Sequence, residues 1–320
     1  MGQFPGHPYR LFLRLLCCVL LMLSAAALAA DRKTYPMDVP AEGVHSITFA
    51  VEEGGFILRG DPDARAVRMK VSIDRLWIFK LGEEGILKRL IKISGQGTDH
   101  LTVATDIPRS LANWGRAQYP IDFEVVVPVA AKLEVRDTSG TIRISGLDAD
   151  VSVEDGSGTL TVSNLQSGLR VNKTSGDISL ADISGPVQIA SRSGQMKLRR
   201  LGPLSVESSD GNLDISDVSS ARIHNRGGNI RVSEVKGGLQ IDDDTGEIVA
   251  TNVAGKVEII DTSGQIRLSN TGDVVISDTS GDVRVQQAAS LRITQKESGQ
   301  VKVAGVRGTV DVPPRITLKR

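Results

Sequence analysis

Residues 133–147 read LEVRDTSGTIRISGL, and 18 residues later the same pattern returns at residues 151–165 as VSVEDGSGTLTVSNL. In each copy a Ser-Gly pair separates two runs in which apolar and polar residues alternate. The glycines of this unit stand at 140, 158, 176, 194, 211, 228, 246, 264, 281 and 299, spaced by 18, 18, 18, 17, 17, 18, 18, 17 and 18 residues. A fixed period in this range marks a solenoid, in which each repeat is one coil stacked on its neighbours.

The alternation gives the faces. Residues two and four places after the glycine are apolar in all ten units, from Ile142 and Ile144 through Met196 and Leu198 to Val301 and Val303. Seven and five places before it come Leu133/Val135, Val151/Val153, Leu169/Val171 and their equivalents, with the tenth pair, Leu291/Ile293, displaced by one residue. Alternate residues of a strand share a face, so each unit supplies two short strands directed at one core. A third apolar site follows seven places after the glycine (Leu147, Leu165, Ile183, Leu201, Val218, Val235, Val253) and lapses at Thr271 and Ala288. The expected fold is all-β: a single-chain β-solenoid of about ten coils of 17–18 residues with an N-terminal cap containing a short helix. One coil buries too few side chains to offset its chain entropy, so stability belongs to the stack.

Outward from residues 131–309, the ends look different. Ile47, Phe49, Gly54, Phe56 and Leu58 match the repeat register and predict an initial atypical coil within a cap spanning residues 30–130. Between Arg75 and Ile121 the register is lost, in an insertion that holds both tryptophans, Trp77 and Trp114. There Glu83-Glu84 followed by Leu87 to Lys92 predicts one short helix, with acid at its start and base at its end. At the other end, residues 310–320 form a C-terminal cap, because Pro313-Pro314 withholds ladder donors from any further strand.

Residues 1–29 carry Arg10 and Arg14, an apolar run from Leu15 to Leu28 and the small-residue site Ala27-Leu28-Ala29, the pattern of a secretory signal peptide. An uncleaved anchor is the competing reading, since Leu11 to Ala30 nearly spans a bilayer. With cleavage no membrane span remains, and the chain is expected to be exported to the periplasm or the outer cell surface. Cys17 and Cys18 are the only cysteines and leave with the signal, so neither disulfides nor thiolate metal sites are expected in the mature chain.

Composition narrows the function classes. With 24% charged residues and zero net charge, the chain is neither a disordered polyanion nor a basic nucleic-acid binder. Residues 131–320 contain no Phe, Tyr or Trp, so the repeats have no aromatic face on which sugar rings or unpaired bases would stack. No nucleophile elbow, P-loop, dinucleotide fingerprint or zinc motif occurs in a suitable context. The expectation is a protein that is not an enzyme, with no catalytic residues, cofactor or metal.

Three rows of residues compete for attention. Three places after the glycine lie Arg143, Lys197, Arg231, Arg267, Arg284 and Lys302, the last three in consecutive coils. Like charges side by side disfavour one another, so this row is the expected contact strip for an anionic envelope polysaccharide, a lipid headgroup or an envelope protein. A bland alternative is a row of solubilising side chains with Asp282 and other acids nearby. Four places before the glycine, Glu207, His224 and Asp242 share an outward row; they have acid–base chemistry in principle, but a flat exposed row lacks the pocket that catalysis uses. One place closer, Asp243, Asp261 and Asp278 form what reads as a similar row, with calcium as its possible ligand. The repeat lacks the glycine-rich nonapeptide of calcium-binding β-rolls, and Asp is a common turn residue.

Thr138-Ser139-Gly140-Thr141-Ile142-Arg143-Ile144, Thr174-Ser175-Gly176-Asp177-Ile178-Ser179-Leu180 and Thr262-Ser263-Gly264-Gln265-Ile266-Arg267-Leu268 resemble the repeat of a bacterial adhesin-like β-strand-repeat family, a domain of unknown function. Val125-Val126-Val127-Pro128 leading into Leu133-Glu134-Val135 is similar to the approach to that repeat, and the resemblance covers about residues 45–310. It implies a β-solenoid outside the cytoplasm, in adhesion or envelope organisation, and carries no catalytic motif. The leading expectation is thus a non-enzymatic exported envelope protein, an adhesin-like structural or interaction β-solenoid presenting an extended polar surface to a macromolecular partner. One alternative is a periplasmic binding or sensing module that uses the N-terminal insertion; another is a polysaccharide-active β-helix enzyme built on His224 with Glu207 or Asp242.

Overall fold

The computed structural model describes residues 32–75, 78, 82–107, 121–314 and 318–319; the signal segment, both cysteines and both tryptophans lie outside the described residues. From Lys132 onward the chain is a parallel in-register stack. Strands β7 (Lys132–Leu147) and β8 (Val151–Leu165) pair from Leu133 on Val151 to Leu147 on Leu165, placing Gly140 on Gly158. The same offset recurs far along the chain, where β13 (Leu239–Val253) meets β14 (Val257–Gln295) with Gly246 on Gly264. The expected β-solenoid of about ten coils is therefore what the chain forms, with every apolar position of one coil lying on its equivalent in the next.

Core residues occupy the sites that the alternation marks, and even the two lapses, Thr271 and Ala288, are buried. How one coil turns its corner is less obvious from sequence. Six places after the glycine the backbone enters the left-handed region at Asn164, Asp182, Arg200, Asp217, Glu234, Asn252, Asn270 and Gln287, with φ between 52° and 59°. That conformation costs a residue with a Cβ roughly 1–2 kcal/mol. It also shifts the alternation by one: after inward sites at two and four places, the sixth residue is exposed or half-buried and the seventh is buried. The turn glycines are equally constrained. Gly264 has φ +151°, and a Cβ there would lie 1.8 Å from the carbonyl oxygen of Gly246 in the coil below.

The N-terminal coil expected from Ile47, Phe49, Gly54, Phe56 and Leu58 is strand β2 (Ser46–Asp61), which stacks on β7 with Gly54 on Gly140. Its opposite edge is covered in parallel by two separate segments, β5 (His100–Thr105) over Ser46–Ala50 and β6 (Asp122–Pro128) over Phe56–Asp61. Together they form a coil in two halves, with Leu101 on Ile47, Val103 on Phe49, Phe123 on Phe56 and Val125 on Leu58. The register that the sequence loses after Arg75 is thus regained at His100. Phe49, Phe56 and Phe123 pack as a ring cluster, with centroids 5.1 and 6.3 Å apart.

Antiparallel strands close this end. β3 (Ala66–Asp74) pairs with β6, β1 (Arg32–Pro40) with β3, and β4 (Ile91–Ser94) with β5. The expected short helix is α1 (Ile86–Leu90); Lys88 and Arg89 sit in its last turn, whereas Glu83 and Glu84 precede its N-cap, Gly85. Glu83 pairs instead with Lys33 of β1. At the C-terminal end the ladder continues across the prolines: Val310 pairs with Leu291 and Leu318 with Val301. Pro313-Pro314 falls between the two short strands, where no ladder donor is needed. Among the described residues, no helix is long and apolar enough to cross a membrane.

Candidate binding surface and the inward polar row

Stacking places all six basic residues of the expected contact strip on one outward row, but not next to one another. Arg143 pairs with Thr161, Thr161 with Ser179 and Ser179 with Lys197; further on Asp214 pairs with Arg231, and Val249 lies between Arg231 and Arg267. The strip is thus continuous only at its C-terminal end, where Arg267 and Arg284 belong to consecutive coils of β14 and Arg284 pairs with Lys302. There the register adds a residue that sequence reasoning did not include: Lys319 pairs with Lys302, so four cationic residues occupy four successive coils. Arg267 is tied to Glu247 and to Gln265. Arg284 and Lys302 have no ion-pair partner among the described residues.

His224 and Asp242 are register partners, and Nδ1 lies 3.1 Å from the Asp242 carboxylate with both side chains half exposed. Glu207 and His224, but not Asp242, border a shallow depression. With both side chains half exposed, water screens the charge of the His224–Asp242 pair. Near the N-terminal cap a second polar cluster was not anticipated: His100 Nδ1 lies 2.7 Å from Ser46 Oγ, and Thr102 Oγ1 3.1 Å from Nε2.

The row of Asp243, Asp261 and Asp278 points the other way from the expected outward direction. These residues are buried, as are their equivalents Asp137, Asp155, Lys173, Ser191, Ser208, Asn225 and Lys296 in the other coils. The physical reason is parity: three, five and seven places before the glycine lie on the same face of the strand, and the other two are core sites. Among the described residues, no group of three or more His, Cys, Asp or Glu is arranged to hold a metal ion.

Burial demands partners, and the inward row supplies only some. Lys173 donates to the Asp155 carboxylate; Lys296 donates to Asp278 and to the carbonyl oxygen of Gly281. Asn225 Nδ2 donates to the Gly227 carbonyl at 2.7 Å. Among the described residues, both oxygens of Asp243 and of Asp261, and one each of Asp137, Asp155 and Asp278, lack a well-formed hydrogen bond. Burial above all, and then the neighbouring carboxylate of Asp155, Asp261 or Asp278 respectively, pushes Asp137, Asp243 and Asp261 up to about 7. Burial also raises Asp155 and Asp278, against which the hydrogen-bonded lysines pull.

Among solved structures, the chain is similar to a candidate adhesin from Parabacteroides merdae (12% identity, 88% of this chain and 97% of that one, TM-score 0.37) and to a candidate lipid-binding protein from Parabacteroides distasonis (13%, 88% and 97%, 0.35). A candidate adhesin from Bacteroides fragilis matches at 12% identity over 87% of this chain and 96% of that one, with a TM-score of 0.33. No curated protein matches the chain. The model of the Toastrack DUF4097 family matches residues 121–313, which is most of the solenoid and more than half of the sequence, and the chain belongs to that family.

Proposed function

We propose that this protein is a non-enzymatic, exported, adhesin-like rod of the cell envelope whose C-terminal basic row binds a linear acidic polysaccharide. The observation that carries this reading is the run Arg267, Arg284 and Lys302 in consecutive coils, continued in backbone register by Lys319, with no ion-pair partner for Arg284 or Lys302 among the described residues. In-register stacking fixes these positions at the strand spacing of roughly 4.8 Å. Like charges held that close repel, and an anionic ligand relieves the repulsion while ordering little that the fold has not already ordered. A single file of cations along the stack matches a chain-like polyanion better than the plane of a bilayer. The repeats lack aromatic rings, so recognition rests on charge and hydrogen bonding rather than on ring stacking.

Export rests on the segment with Arg10, Arg14 and the Ala27-Leu28-Ala29 site. Subcellular fractionation with protease shaving of intact cells, and mass spectrometry of the N-terminus, tests the reading. A rod cut on intact cells supports surface adhesion, and a protected periplasmic rod supports an internal envelope scaffold; recovery in the cytoplasm with residues 1–29 attached defeats the proposal.

A further inference from the structure

The two inward lysines occur in the same company. In consecutive coils the inward row runs Asp137, Asp155, Lys173, and it repeats near the other end as Asp261, Asp278, Lys296. In both sets the lysine Nζ is hydrogen-bonded to the middle aspartate, and both side chains of that pair are 0% exposed. The outer aspartate lies one coil further, in register with the middle one in the first set, and keeps at least one oxygen without a partner. No other inward position of the ten coils carries an amine.

An ion pair enclosed this deeply loses much of its Coulomb attraction to the cost of removing two charges from water. That cost disappears if the two groups become one neutral group. We propose that each pair condenses into an amide, Lys173 Nζ to Asp155 Cγ and Lys296 Nζ to Asp278 Cγ, with Asp137 and Asp261 as the acids that move the protons.

The chemistry balances without an added reagent. The ammonium passes one proton to the carboxylate beside it, giving a neutral amine and a neutral acid. The nitrogen lone pair adds to Cγ and forms the C–N bond; the C–OH bond breaks, and the hydroxyl leaves as water with a proton that the outer aspartate donates. That aspartate recovers a proton from the nitrogen and ends as it began. An ammonium and a carboxylate thus become an amide and one water, with no redox change. The outer aspartate must be protonated to start, and burial together with the neighbouring carboxylate pushes both Asp137 and Asp261 up to about 7. Groups held in contact by the fold react at effective concentrations on the order of 10⁵ M or more, which a loose pair in water does not reach. In the second set Lys296 also donates to the Gly281 carbonyl, which holds the amine in place. Cross-links at these two places tie neighbouring coils together near both ends of the repeat array, where a stack otherwise frays.

Intact-mass measurement of the purified, folded mature protein tests this. The expected mass is lower than the sequence mass by two waters, and trypsin digestion after denaturation yields branched peptides joining Asp155 to Lys173 and Asp278 to Lys296. In Asp137→Asn and Asp261→Asn, which preserve side-chain shape, one of the two waters is expected to remain, while circular dichroism stays that of a β-rich fold. Lys173→Met removes the first bond only and leaves the second. A folded wild-type protein of full sequence mass, cleaved by trypsin after both lysines, overturns the proposal; bonds that form equally in both asparagine variants overturn the role given to Asp137 and Asp261.

Discussion

Replacing Asp243 by asparagine removes one proton-binding group from the interior while changing almost nothing else. Asp243 is 1% exposed, its carboxyl oxygens have no well-formed hydrogen bond among the described residues, and it faces Asn225 on one side and Asp261 on the other, with Asp244 beside it in the chain. Burial first, then the charge of Asp261, pushes its carboxyl from 3.8 up to about 7. The folded state therefore holds a proton that the unfolded chain releases. Stability is fully present below the unfolded value near pH 4 and declines as pH rises, until the folded group itself ionises near 7. About three units at 1.36 kcal/mol each gives roughly 4 kcal/mol lost across that window. Because Asp243 and Asp261 titrate as a coupled pair, the loss belongs to the pair rather than to one residue.

Asparagine fits the site: Asn225 already occupies this row, and the unpartnered oxygens of Asn225 and Asp261 accept its amide donors. Urea unfolding of wild type and Asp243→Asn, repeated between about pH 4 and about pH 8, isolates the effect, since every other titrating group is common to both proteins. The expected result is near-equal stability at the acid end and a variant more stable than wild type by about 2–4 kcal/mol at neutral pH. A stability difference that does not change with pH refutes the assignment of a buried, proton-retaining carboxyl.

The turn column makes its own prediction. Gly264→Ala introduces a Cβ 1.8 Å from a carbonyl oxygen at φ +151°, whereas Gly211 is not left-handed and its nearest contacts are 2.9 Å. Gly264→Ala is expected to cost at least about 2 kcal/mol more than Gly211→Ala in urea unfolding; equal costs would show that the column is not a steric requirement. At the corner, Asn252 has φ 55°, donates to Glu234 and accepts from Asn270 at 2.8 Å. Asn252→Ala should lower thermal stability by the equivalent of about 1–2 kcal/mol, and Asn252→Gly by much less, because glycine adopts the left-handed backbone freely. A larger loss in the glycine variant would mean that the side-chain ladder, not the backbone, fixes the corner.

Much of the fold was legible because stacking turns a one-dimensional period directly into contacts. Glycine spacing and the pairs such as Ile142/Ile144 specified coil length, core and register, and Ile47 to Leu58 located the first coil despite its separation from the rest. Other features had weaker signals. The half-coils β5 and β6 are separated in the sequence by residues 106–121 instead of by the Ser-Gly unit of the repeat, so Leu101 and Phe123 look unrelated until both are laid on β2. The corner residue hides its left-handed backbone because Arg200, Glu234 and Gln287 have no intrinsic preference for it; their neighbours in the stack impose it. The direction of Asp243, Asp261 and Asp278 was available from parity with Leu239 and Ile241, but acidic residues next to a Ser-Gly turn look like surface. On the outside, the glycine spacing puts the six basic residues on one row divided by Thr161, Ser179, Asp214 and Val249, and only pairing shows that Lys319 continues its register.

The most direct test of the proposed role is equilibrium binding of the mature protein to a soluble polyuronate at low and high salt, beside the variant Arg267→Gln/Arg284→Gln/Lys302→Gln, with anionic lipid vesicles as a second probe. The account predicts polyuronate binding that weakens as salt screens the row, falls at least tenfold in the triple variant and survives in Arg143→Gln, while melting temperatures stay close to wild type. Polyuronate binding unaltered in the triple variant, or absent in wild type while vesicles bind, contradicts it.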